Sequence, residues 1–295
     1  MSANKIIPFI FLVSVFTLSL FVLIKFNNSL PLNFLSESVP SATANSKEKF
    51  KYCVQKIGQV YYSETYRFFA EFDLCMTTYF SIDYQKLDNF PNGATGERKV
   101  FLPMAKDFRK EECRWLTIGI GGLVAAEEQF HAKYPNCKIY GVEPANQGNF
   151  SKTGEVLTAG VGLEDDGKNK DFKIISLPKV LDEFVHSRLI HYLSIDIESY
   201  EMIILQELIG TGKFANKNIT FCQIDAELHN PKQGGQHELA ANINRIKWII
   251  DFLDDSSPYI PIFTVSYLPA HKVTFVNVEN SECEKAFKIK SYLEN

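Results

Sequence analysis

Carboxylates crowd one short stretch of this 295-residue chain. Leu193–Glu201 reads LSIDIESYE, which sets Asp196, Glu198 and Glu201 just beyond an apolar run. Acids this close repel one another, and an acid inside an apolar run is costly to bury unless it is hydrogen-bonded or has a chemical role. Asp196 is therefore a candidate functional acid, and Glu198 a neighbour in the same site. Glu201 is equally well explained as a charge near the start of a helix, where the macrodipole favours a carboxylate. A second stretch, Ile219–His229 (ITFCQIDAELH), puts Glu227 and His229 on one side of a strand, because side chains two residues apart share a face. With Asp196 they would line one crevice and supply what hydroxyl activation needs, a proton acceptor and a positioning acid. The same three residues have the chemistry to hold a divalent metal, but no ligand spacing singles one out, so no metal is assigned.

Two further signals lie upstream. Gly119-Ile120-Gly121-Gly122 follows the apolar run Trp115–Ile120, where glycines let a backbone approach a ligand and a helix start offers free N–H groups. A tight turn would need the same glycines. Glu143 stands 24 residues after Gly119 and ends the run KIYGV, a position from which an acid can bind both hydroxyls of a ribose. A dinucleotide would call for a third glycine near position 124, which is Val124 here. A smaller ribose-bearing cofactor fits better than NAD.

The elements that must carry these residues alternate. Strand-like runs at 115–120, 138–142, 191–197 and 219–228 are separated by helical patterns, including Val180–His186, Met202–Ile209 and a long amphipathic helix over Leu239–Leu253. The runs at 260–267 and 272–278 form an antiparallel pair about Pro269-Ala270. Such alternation predicts a doubly wound α/β domain, with a mostly parallel sheet and an antiparallel strand at its C-terminal end. Ligands then bind beyond the carboxyl ends of the strands, where every candidate above is found. His191 and His237 read as packing or surface residues.

Composition is that of an ordinary globular protein, 45% hydrophobic and 22% charged. The net charge of −4 and the lack of a basic block give no sign of a nucleic-acid partner. Ile6–Ile24 is an uncharged run of 19 residues, about 28 Å long as a helix, which predicts a transmembrane signal anchor over residues 1–27. Lys5 and the amino terminus outweigh Lys25, so the expected protein is single-pass, type II, with its body in the secretory pathway, in the Golgi or endoplasmic reticulum lumen. A stalk over residues 28–50, a helical N-terminal cap over 51–112 and the main domain over 113–295 complete the expected organisation. Six cysteines allow three disulfides in 15 connectivities, although Cys222, inside an apolar run, reads as a small buried hydrophobe. No Cys/His cluster has zinc spacing.

The series TIGIGG, YGVEP, AGVG, LSIDIESYE and QIDAELH, in this order, resembles the FkbM-type methyltransferase domain, its nematode branch in particular, over residues 113–278. The resemblance rests on Asp196-Ile197-Glu198-Ser199-Tyr200-Glu201 after one strand and Glu143-Pro144 after another. It implies a Rossmann-like, S-adenosylmethionine-dependent methyltransferase fold and O-methylation of a hydroxyl on an unknown acceptor, a glycan, lipid or small molecule. By position it implies Gly119 and Gly121 against S-adenosyl-L-methionine, Glu143 at its ribose and Asp196 facing its methionine portion or the acceptor; with Gly122 and Glu198 these are the expected cofactor-binding residues, and Asp196, Glu227 and His229 are the expected catalytic ones. Thr117 stands where the family carries an acid and Ser199 where it carries glycine. Those departures keep open the alternative of a catalytically inactive, methyltransferase-like binding module.

Overall fold

The computed structural model describes residues 45–93, 96–165, 172–232, 238–267 and 270–293. The chain enters through two 15-residue helices, α1 (Ser46–Val60) and α2 (Thr65–Tyr79). Asn45 caps α1 in a capping box with Glu48, each side chain accepting from the other's backbone N–H. The helix thus begins inside the segment expected to be stalk, and Phe50 is already fully buried. On α2, Phe68, Phe69, Phe72, Cys75 and Met76 recur at helical spacing and are all buried. Phe72 packs edge-on against Phe50 of α1, with ring centroids 5.8 Å apart. Each fully buried phenylalanine is worth about 1.5–3 kcal/mol, which accounts for the aromatic density of this stretch.

The expected helical cap is only partly helical. A hairpin, β1 (Asp88–Pro91) and β2 (Arg98–Phe101), follows the two helices. Its strands are four residues each and one contains proline, too short and too broken to show a two-residue alternation.

Beyond it come β3 (Cys113–Ile118), α3 (Ala125–Lys133), β4 (Cys137–Val142) and β5 (Glu155–Leu157). A small pair follows, β6 (Gly160–Gly162) with β7 (Ile174–Ser176), and then α4 (Leu177–Lys179), which runs into a π-helical turn over Val180–Val185. The chain continues through β8 (Leu189–Ile195), α5 (Tyr200–Gln206), β9 (Thr220–Leu228) and α6 (Arg245–Phe252). It closes with β10 (Tyr259–Tyr267), β11 (Ala270–Asn277), α7 (Ser281–Phe287) and α8 (Lys290–Leu293).

Seven strands form the central sheet in the order β10-β11-β9-β8-β3-β4-β5. β9, β8, β3, β4 and β5 are mutually parallel, and β11 runs antiparallel between β9 and β10. The mostly parallel α/β sheet with an antiparallel strand near its C-terminal end is as expected. Its antiparallel strand is inserted beside β9 rather than added at the edge. Order reverses between β3 and β8, so the ligand-binding switch point lies between the ends of those two strands.

One expected helix is shorter than its apolar spacing suggested. Asn244 accepts from the N–H groups of Ile246 and Lys247 and so starts α6 at Arg245, leaving only a 3₁₀ turn at Glu238–Ala240 before it. An asparagine side chain that bonds its own backbone caps a helix better than it continues one.

The reading of Cys222 as an unbridged hydrophobe is corrected: Cys222 pairs with Cys283 of α7. Cys53–Cys75 ties α1 to α2, and Cys113–Cys137 joins residues already in register on β3 and β4. His191 is a packing residue on β8, 1% exposed. Its Nδ1 accepts from the N–H of Arg114, and burial lowers its pKa to about 4, which keeps the ring neutral.

The expectation of a single-pass type II membrane protein in the secretory pathway is also corrected. No helix among the described residues is long and apolar enough to cross a membrane. The longest, α1 and α2, would span about 22 Å, short of a hydrocarbon core of about 30 Å. The run Ile6–Ile24 lies outside the described residues.

Candidate functional site

The register of β8 with β9 pairs Ile195 with Ala226, so Asp196 and Glu227 follow as neighbours at the strand ends. His229 lies one residue past β9. Its Nε2 stands 3.5 Å from Asp196 Oδ1, 3.5 Å from Glu227 Oε1 and 3.7 Å from Glu198 Oε2. The three residues expected to share a crevice do converge. The ligand atoms of Asp196, Glu227 and His229 all lie within 4.8 Å of one another, a set that could hold a metal ion. Sequence spacing gave no hint of this, because the set is assembled across two strands.

Glu201 does stand in the first turn of α5, but it also has a partner outside the helix. Fully buried in α5, it accepts from the backbone N–H of His229 at 3.1 Å and from Nδ1 of the same residue at 3.3 Å. Burial alone would lower the His229 pKa, but this hydrogen bond and the charges of Glu201, Asp196 and Glu227 outweigh it and raise the pKa to about 9. Arg245 is near enough for its charge to act on Glu201. Burial raises the Asp196 carboxyl to about 6, with the charges of His229 and Lys272 opposing. Burial and the Asp196 charge together raise Glu227 to about 7.

Lys272 was not among the sequence candidates. It stands opposite Glu227 in the β9–β11 register and is 2% exposed. Its Nζ lies 2.8 Å from Glu97 Oε1, 3.5 Å from Asp225 Oδ2 and 3.7 Å from Glu227 Oε2. Burial opposes its charge, but these three acids hold its pKa above the ordinary lysine value. A lysine inside an apolar strand is the sequence signal that could have flagged it, although its partners are visible only once the strands are paired.

The glycine turn meets this cluster directly. A Cβ on Gly119 would lie 1.8 Å from the carbonyl oxygen of Asp196, and Gly119 has φ +84°, so no other residue is accommodated. Gly121 differs, since a Cβ there would meet nothing within 4 Å. At Gly122 a Cβ would strike the side chain of Asn146. Glu143 is 7% exposed, and its carboxylate takes four backbone donors: Ile120 and Gly121 on one oxygen at 3.0 and 3.3 Å, Ala145 and Asn146 on the other at 2.8 and 3.1 Å. Here it ties the glycine turn to the turn after β4.

The two family departures have structural counterparts. Thr117 is fully buried, accepts from Trp115 Nε1 and donates to Glu127 Oε1, each at 2.7 Å, and Glu127 also binds Lys99 at 2.7 Å. An acid thus reaches this position from α3 instead of from β3. Ser199 takes φ 72° and ψ −7°, the left-handed conformation that glycine adopts without cost, and Glu198 before it has φ 53°. Ser199→Gly should therefore stabilise the fold by about 0.5–1 kcal/mol, read as a higher urea midpoint at an unchanged slope.

A profile of the methyltransferase FkbM domain matches residues 82–255, more than half of the chain. No curated protein matches it. Among solved structures, a mutant 16S rRNA (adenine(1408)-N(1))-methyltransferase from Catenulisporales acidiphilia is 9% identical with a TM-score of 0.31. That likeness covers 65% of this chain and 98% of the other, and it is too weak to bear on substrate. The match begins at residue 82, ahead of the hairpin whose Glu97 and Lys99 enter the buried ion pairs, and ends beyond α6. It therefore takes in the glycine turn and the Asp196–Glu227–His229 cluster. The α/β sheet and the family profile agree, and the chain belongs to the methyltransferase FkbM domain family.

Proposed function

We propose that this methyltransferase moves a methyl group from S-adenosylmethionine to a hydroxyl oxygen of its acceptor, beyond the ends of β3, β8 and β9. The observation that carries the reading is the contact between the glycine turn and the acid cluster: the Asp196 carbonyl occupies the space where Gly119 lacks a side chain. One turn can then hold a cofactor while the next residues hold the acceptor. S-adenosylmethionine, when bound, supplies a methyl carbon on a sulfonium sulfur that leaves as a neutral thioether.

The chain's own residues bind and orient. Gly121 offers an open backbone face to the cofactor. Glu143 is placed to take the ribose hydroxyls in exchange for some of its four backbone partners. Asp196, whose side chain is 37% open, accepts the acceptor hydroxyl's proton, while Glu227 and His229 fix that hydroxyl. Proximity supplies much of the rate, because methyl transfer needs only an aligned nucleophile.

Calorimetric titration of the full chain with S-adenosylmethionine tests the cofactor assignment, and one site per chain is expected. The absence of heat from it and from its demethylated product, with folded protein in the cell, rejects it. The commitment of Glu143 to backbone donors favours a second reading, a binding module that has lost catalysis. The two separate on whether cofactor binding is followed by turnover.

A further inference from the structure

We infer that Asp196, Glu227 and His229 form a site for one divalent cation, of the zinc or manganese kind, with a fourth position open to the acceptor. This role rests on the methyl-transfer reading above; the ion site itself does not.

The argument starts at Glu201. A carboxylate can only accept, so the 3.3 Å contact with Glu201 Oε1 places a proton on Nδ1 of His229. Nε2, which points at carboxylate oxygens of Asp196 and Glu227, is then the nitrogen left to bind a cation in place of its own proton. Both oxygens are 3.5 Å away, longer than an ordinary N–H···O hydrogen bond of about 2.7–3.2 Å, so neither carboxylate bonds Nε2 closely and a cation can stand between the three atoms. Four ligands about 2.1 Å from a tetrahedral ion stand about 3.4 Å apart, close to the 3.5 Å from Nε2 to each carboxylate, and the whole set lies within 4.8 Å.

A carboxylate that holds the far nitrogen of an imidazole is the usual outer partner of a metal-binding histidine. Here that partner is completely buried, and its second oxygen, Oε2, accepts no hydrogen bond from any described residue. Burying a carboxylate with one oxygen shared between the backbone N–H and Nδ1 of His229, and the other without a partner, is costly. It becomes favourable when the ring carries an ion. Two carboxylates and one imidazole with an open position suit an ion that must also bind an oxygen ligand.

On the methyl-transfer reading the oxygen that enters the fourth position is the acceptor's hydroxyl, and the cation lowers the cost of removing its proton. Each carboxylate ligates through one oxygen and keeps the other. The hydroxyl's proton passes to the second oxygen of Asp196 and from its open side to water.

The test omits the cofactor. The full chain is stripped with a chelator and titrated by calorimetry with ZnCl₂ and, separately, with MnCl₂. One ion per chain is expected for at least one metal. Glu201→Gln, which keeps the volume of the buried side chain, should weaken binding about 10–100-fold. Asp196→Asn, at a partly open position, should weaken it at least about tenfold. No saturable binding by the folded chain overturns the proposal, as does binding that both substitutions leave unchanged. Because no S-adenosylmethionine is present, a failure here leaves the cofactor assignment standing, and a failure of cofactor binding leaves the ion site standing.

Discussion

Asp196→Asn is expected to lower methyl transfer about 10²–10⁴-fold and to leave the urea unfolding midpoint nearly unchanged. Its carboxylate stands at the meeting point of the glycine turn and the β9 end, 3.5 Å from His229. The structural part of this residue is its backbone, whose N–H donates to Ile118 at 2.9 Å and whose carbonyl fills the gap at Gly119. Asparagine keeps that backbone and the side-chain volume while removing the charge and the capacity to accept a proton. Single-turnover kinetics with saturating cofactor separate this from a binding defect, because the chemical step should slow while the cofactor Kd holds. Turnover indistinguishable from the unsubstituted protein would take Asp196 out of the chemistry. A lowered midpoint would instead give its side chain a structural role.

Lys272→Met should cost about 3–5 kcal/mol of stability, the larger structural effect of any single change in the site. Methionine fills much of the lysine's volume, so the loss is one of charge rather than packing. Removing the ammonium strands Glu97, Asp225 and Glu227, all less than a tenth exposed, around an apolar side chain. Their carboxyls then ionise less readily in the folded state than in the unfolded one, so the deficit grows as pH rises and shrinks as it falls. Urea titrations at two pH values measure both effects. Adding Glu97→Gln should restore part of the loss, since the two residues are in direct contact at 2.8 Å and their effects are not additive. A loss below about 1 kcal/mol would mean that the cluster tolerates its own repulsion or opens to water.

How far the site could be read from the chain depends on the range of the interactions involved. The strand-end acids are local signals: Asp196 breaks an apolar run, and Glu227 and His229 share a face by simple alternation. Glycines at 119, 121 and 122 show in composition, and each has positive φ in the structure. What the glycines do was not legible, since Gly119 answers to a carbonyl 77 residues away and Gly121 to open space. Glu201 was half legible for the same reason. A carboxylate near a helix start has a sufficient local explanation, and only the approach of β9 shows that it serves His229. The capping box at Asn45–Glu48 was fully local, and the composition of the surrounding segment obscured it.

Periodicity along the chain, then, determined the α/β class, the parallel core and the rule that chemistry gathers past the strand ends, because these depend on contacts between near neighbours in sequence. Tertiary structure alone decided that β11 enters between β9 and β10, and with it that Lys272 faces Glu227. It also decided which cysteines meet, and it brought a buried glutamate, an imidazole and two carboxylates to one point. Those outcomes depend on strand pairing and register, in which residues far apart in the chain compete for one place, and no local pattern of residue types encodes which of them arrives.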